Sequence, residues 1–215
     1  MTHHKKMGGI MTDQALVDEY AAFHAKDASY GSTGHKTLPW ILPHLKALKA
    51  TSLIDYGCGK GMLGPLVGRR LGIAEIGRYD PAVPAFSARP KRRFDVLINV
   101  DVLEHIPEED LDPVLTDMAA VAEHALLVID TAPARTLLLD GRNAHVTLHG
   151  ADWWEARLKP HFPTIRPMKI KRRARVAFKT FDDEVSPAEA RMIRLRESAI
   201  VWGKKLKRLV LTGKI

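Results

Sequence analysis

Three glycines alternate through the stretch LIDYGCGKG (53–61), at positions 57, 59 and 61. Asp55 stands two residues before the first of them, and Asp80 closes the next apolar run, IAEIGRYD. A glycine-rich turn lets a ligand come closer to the backbone than a Cβ atom would allow. A carboxylate at the end of the neighbouring strand can accept both hydroxyls of a ribose. Together the two features point to a nucleoside-containing cofactor. The dinucleotide fingerprint G-x-G-x-x-G is not met, since Met62 follows Gly61, and the phosphate loop G-x-x-x-x-G-K-[ST] fails because Lys60 precedes a glycine. An acid so near the first glycine suits a cofactor with a positive end and an amino group better than a pyrophosphate.

A second polar concentration lies in LLLDGRNAHVTLHGADWW (137–154), which carries Asp140, Arg142, Asn143, His145 and His149. His145 is the candidate general base, because an imidazole titrates near neutral pH. The opposing reading is a turn around Gly141 satisfied by Asp140 and Asn143, with His145 as a hydrogen-bonded packing residue. Asp140, His145 and His149 lack a recognised ligand spacing, so no metal is expected. His105, in DVLEH, is either a base or a residue that packs the start of the next helix. His35, in the glycine-containing segment YGSTGHKT (30–37), stands where a partial lid would reach a ligand, with Tyr30 and Lys36 beside it. Cys58 has no activating base near it in sequence, and of the adjacent Trp153 and Trp154 only one can face a given surface of a helix.

These residues need elements to place them. The apolar runs SLIDYG, IAEIGRYD (73–80), DVLINV (95–100) and ALLVID (125–130) read as buried strands, continuous rather than alternating in character. MLGPLVGRRLG (62–72) and residues 108–124 read as helices between them. Such alternation predicts a mostly parallel sheet covered on both faces. Residues 1–12 read as a disordered tail, and 13–215 as one domain. Helices over 13–50 would form its lid, ADWWEARLKPHF (151–162) a short helix, 168–181 a strand or hairpin edge, and 187–211 a basic C-terminal helix.

Three pieces, LIDYGCGKG (53–61), YDP (79–81) and FDVLINVDVLEHI (94–106), resemble the class I S-adenosylmethionine-dependent methyltransferases. The resemblance covers roughly residues 50–131. It implies a Rossmann-like α/β fold, a seven-stranded mostly parallel sheet with its last strand antiparallel, and S-adenosyl-L-methionine lying across the ends of strands one, two and four. By the same resemblance Asp55, Gly57, Gly59 and Gly61 would face the methionine end, and Asp80 the ribose. Asp101 would border the methyl-transfer cleft as a catalytic residue with His145, while the family's usual adenine-binding residue has no clear counterpart here, so adenine would instead pack on Pro81, Ala82 or Val83. His35, Asp140, Arg142, Asn143 and His149 would meet the acceptor. Only 13 residues separate Asp80 from Phe94, three of them proline, so the strand-three unit is expected to be shortened.

The acceptor is expected to be a small or glycan-like molecule methylated on oxygen or nitrogen. Nucleic acid is the alternative, because residues 157–215 hold 17 Lys and Arg against 5 Asp and Glu. Clustered cations of that kind bind phosphates, steer anionic partners or simply keep a surface soluble. A non-catalytic partner protein docking through the basic helix, or a second copy of the chain doing so, is the remaining class. One cysteine in 215 residues excludes an intramolecular disulfide, and no apolar run approaches the length of a membrane span. A cytoplasmic protein without membrane contact is expected.

Overall fold

An antiparallel hairpin, His4–Met7 (β1) against Ile10–Asp13 (β2), stands where the composition predicts a disordered tail. Gln14–Lys26 (α1) and Leu38–Leu48 (α2) follow. Strand and helix then alternate through Ser52–Tyr56 (β3), Leu63–Leu71 (α3), Glu75–Tyr79 (β4), Phe94–Val100 (β5), Leu111–Val121 (α4) and Ala122–Asp130 (β6). Ala151–Leu158 (α5), Arg166–Pro167 (β7), Arg175–Lys179 (β8) and Pro187–Thr212 (α6) complete the chain. The computed structural model describes the backbone of residues 4–7, 10–27, 31, 33–171 and 173–212, and the side chains of 14–27, 31, 34–171 and 173–200. Tyr30 and the side chains of the basic run 204–210 lie outside the described residues.

The main sheet has the order β4-β3-β5-β6-β8-β7. β4, β3, β5 and β6 are parallel, and β8 runs antiparallel to both β6 and β7, so β8 alone opposes the rest. Among the described residues the sheet has six strands, one fewer than the resemblance implies. The missing one is the strand-three unit: residues 81–93 hold only the single 3-10 turn Pro84–Phe86, which folds back so that the Asp80 amide donates to the Phe86 carbonyl. The predicted helix over 108–124 stops at Val121, because Ala122 and His124 pair with Phe94 and Val96 of β5 and so start β6 three residues early.

Pleating sends alternate residues to opposite faces, and both faces are apolar. Ile54, Leu97 and Leu127 pack with Leu115 and Met118 of α4 and Trp154 of α5. Leu53, Val96 and Leu126 pack on the other face with Ile41 and Leu45 of α2 and Val67 of α3. Trp154 is fully buried, as expected of the partner that faces the core. Four parallel strands, the inner three buried, thus end together at one rim, and every loop that leaves that rim borders the same space. No helix among the described residues is long and apolar enough to cross a membrane.

Candidate active site

β3 delivers the glycine loop to that rim. The Gly57 and Cys58 amides both donate to the Tyr79 carbonyl at the end of β4, at 2.7 and 3.1 Å. The Gly59 amide donates to Asp80 Oδ2 at 2.7 Å, and the Ala82 amide to Asp80 Oδ1 at 3.0 Å. Asp80 is therefore clamped between two loops, with lone pairs left over on both oxygens. Gly59 has φ +51, and a Cβ there would stand 2.6 Å from the Gly31 carbonyl oxygen. Only glycine accommodates that approach, so Gly31, in the expected lid, stands directly against the loop. Gly61, expected at the cofactor, lies off the cleft: a Cβ on it would meet the Phe86 ring at 2.7 Å. Its bareness seats the turn that replaces the strand-three unit.

Asp55 sits beneath the loop and accepts from the Gly64 amide at 2.8 Å, tying β3 to α3. Burial pushes its carboxyl up to about 7, against the pull of that amide. Burial likewise raises Asp80, opposed by the Gly59 amide. The Cys58 thiol is pushed up by burial and by the two neighbouring carboxylates, which leaves it protonated and inert.

A continuous cleft of about 820 Å³ runs from the lid and the glycine loop past Asp80 and Pro81 to Asp101, His105, His145 and Arg175. Two imidazoles wall its far end, with ring centroids 4.7 Å apart, edge to face. His105 Nδ1 lies 2.9 Å from the Ala144 carbonyl and His145 Nδ1 lies 2.6 Å from the Ala132 carbonyl. A carbonyl only accepts, so Nδ1 is the donor in each ring, and a neutral ring so held has its lone pair on Nε2. Burial pushes the His105 imidazole down to about 3, so it stays neutral. The Tyr20 hydroxyl of α1 reaches the Ala144 carbonyl at 2.8 Å and holds α1 over the pair.

Asp101 borders the cleft with φ +57, a left-handed conformation uncommon for a non-glycine residue. Arg175 of β8 grips it through two bonds of 2.8 and 2.9 Å and reaches Asp130 at 3.1 Å. Asp101 and Arg175 thus stand as a pair in the wall of the cleft.

A family model described as "Methyltransferase domain" matches residues 17–177, well over half of the chain. The chain belongs to the class I S-adenosylmethionine-dependent methyltransferases. The methyltransferase has no match among curated proteins. A solved structure described as a DhpI–SAH complex is similar in fold, with TM-score 0.57 and 14% identity, over 82% of this chain and 100% of that one. So is the 1,6-didemethyltoxoflavin-N1-methyltransferase of Burkholderia thailandensis, with TM-score 0.54 and 12% identity, over 79% of this chain and 88% of that one.

Four polar residues expected at the acceptor lie off the cleft of the methyltransferase. Asp140 and Arg142 pair with each other at 2.6 Å across an exposed turn at Gly141. Asn143 accepts from the Ala134 and His145 amides and donates to the Ala134 carbonyl, so it shapes the loop that presents His145. His149 stacks on Trp153 at 3.8 Å and pairs with Glu108 at 2.6 Å. His35 does line the cleft, while Lys36 borders a separate shallow groove beside Trp40. The sequence reading passed over three residues. Tyr20 covers the histidines, Arg175 lies in the wall, and Glu104 is fully buried in the 3-10 turn Leu103–His105.

Proposed function

We propose that this methyltransferase moves a methyl group from S-adenosylmethionine to an oxygen or nitrogen of a small-molecule acceptor. The observation that carries this reading is the continuous cleft joining the glycine loop and Asp80 at one end to the histidine pair at the other. Its volume, about 820 Å³, falls in the upper part of the range of roughly 300–1,000 Å³ found for small-molecule sites. The residues present suit the cofactor. Asp80 offers fixed lone pairs to two ribose hydroxyls, Pro81 and Ala82 give an apolar surface beside them, and the bare loop at Gly57 and Gly59 admits a close neighbour.

When bound, S-adenosylmethionine supplies an electrophilic methyl group on a positively charged sulfur. The chain then has three tasks: to align the acceptor, to exclude water and to receive a proton where the acceptor carries one. α1 and the lid segment cover the cleft. His145 keeps its Nε2 lone pair toward it, which suits the third task. Of the similar structures, the Burkholderia enzyme is described with 1,6-didemethyltoxoflavin and S-adenosylhomocysteine bound, a small acceptor beside a spent cofactor. A nucleic-acid acceptor finds less support: of the basic stretch 169–179, Arg175 is turned onto Asp101 and Asp130, and Lys179 pairs with Asp183. The buried free Cys58 is in keeping with a reducing, cytoplasmic setting.

Titration calorimetry with S-adenosylmethionine and with S-adenosylhomocysteine tests the reading, with micromolar binding expected. Asp80→Asn should weaken both by about tenfold or more, the worth of a hydrogen-bonded pair to a charged acceptor. Absence of binding to either compound would remove the proposal, and an unchanged affinity in Asp80→Asn would remove the ribose assignment.

A further inference from the structure

Glu104, His105 and His145 each bring a metal-ligating atom within 4.8 Å of the other two. How each is held tells which atom is on offer. Both imidazoles spend their Nδ1 protons on backbone carbonyls, His105 on Ala144 and His145 on Ala132. That arrangement fixes ring orientation and tautomer in metal-binding histidines and leaves Nε2 as the ligand. Glu104 is fully buried; its Oε1 accepts from the Asp130 amide at 3.1 Å, and its Oε2 has no partner. Burial and the nearby Asp101 raise the Glu104 carboxyl well above the usual carboxylate range, so an ion that binds there takes the place of its proton.

A second acidic group overlaps the first, made of Asp101, Glu104 and Asp130. Its positive charge comes from the chain itself, since Arg175 binds Asp101 twice and Asp130 once. Arg175 leaves Glu104 Oε2 unsatisfied.

We propose that Glu104 Oε2 and the Nε2 atoms of His105 and His145 bind one divalent first-row transition-metal ion. Two imidazoles and one carboxylate suit zinc, iron(II) or manganese better than magnesium or calcium, which prefer all-oxygen sets. Ligands at about 2.1 Å around a tetrahedral ion stand about 3.4 Å apart, so groups with ligand atoms within 4.8 Å of one another must close by up to about 1.4 Å. Three protein ligands leave at least one coordination position open. His105 and His145 both line the cleft, so that position faces the acceptor. This last step rests on the methyl-transfer reading above; the binding of the ion does not. With the ion in place, coordination of the acceptor oxygen would favour release of its proton to solvent water, and His145 would serve as ligand instead of base.

The test uses the full-length protein, stripped with a chelator and titrated by calorimetry with Zn²⁺ and, separately, Mn²⁺. One equivalent of at least one ion should bind. Glu104→Gln, which keeps an acceptor for the Asp130 amide, and His145→Ala, in a loop and less exposed to folding failure, should each weaken binding by more than about 100-fold. Replacing His3 and His4 by alanine controls for the histidines of the N-terminal segment and should change nothing. Failure to bind either ion overturns the proposal. So does stoichiometric binding that survives both Glu104→Gln and His145→Ala, or binding that vanishes only with His3 and His4. Calorimetry with S-adenosylmethionine on the same samples separates the two proposals, because the ion can bind where the cofactor does not, and the reverse.

Discussion

Replacing Asp55 by asparagine should raise stability, and by an amount that grows with pH. The carboxyl is wholly enclosed beneath the glycine loop, and burial raises it from 3.8 to about 7. The asparagine would keep an oxygen for the Gly64 amide while removing the titration. Below about pH 4 the wild-type carboxyl is protonated in both the folded and the unfolded chain, so ionisation costs nothing. Between there and pH 7 the unfolded chain gives up its proton while the folded chain holds on, so wild-type stability falls as pH rises. Above 7 both states are ionised and the full cost remains. A shift of about three units at about 1.4 kcal/mol each gives an upper value of about 4 kcal/mol. Relaxation of the surroundings lowers this, and about 2–4 kcal/mol is the expected range. Urea unfolding of both proteins, followed by tryptophan fluorescence at intervals from pH 4 to 8, measures the difference directly. A stability gap that stays flat across that range would refute the reasoning, as would a gap that closes as pH rises.

Arg175→Gln removes the counter-charge of Asp101 and Asp130, and should cost about 1–3 kcal/mol in urea unfolding, since both acids are half-buried and keep some contact with solvent. Gly61→Ala forces a Cβ into a left-handed backbone against Phe86 and should cost about 1–3 kcal/mol. Pairing it with Phe86→Ala should recover part of that loss in a double-mutant cycle; strictly additive effects would mean that the ring is not what the glycine accommodates.

The glycine loop was legible because its constraint is local: alternating glycines after an apolar run announce a backbone that must turn left-handed, whatever packs around it. Asp80 was legible for a similar reason, as the residue that directly follows the next strand. Arg175 was not. Its sequence neighbours suggest an alternating edge strand, and only the antiparallel register that sets Arg175 opposite Asp130 turns it into part of the cleft wall. Glu104 was passed over because nothing in DVLEH distinguishes an acid that caps a turn from one that is sealed inside. The segment 137–149 misled in the opposite direction. Its density of polar side chains serves mostly to satisfy its own irregular backbone, and only His145 among them reaches the cleft.

A sheet that stops at six strands has two open rims, and each is closed to further pairing by different means. At β4 the outer row carries Glu75 and Arg78, with Glu75 bonded to Arg92 at 2.6 Å and the Arg78 guanidinium 4.4 Å from the centre of the Phe86 ring. At the far rim β7 is two residues long and ends in Pro167, which has no amide proton to offer. Charge at one rim and proline at the other deny a second molecule the template for adding a strand, so losing the strand-three unit need not bring aggregation with it. Neutralising Glu75 and Arg92 together would leave the fold intact and still expose the chain to edge-to-edge association.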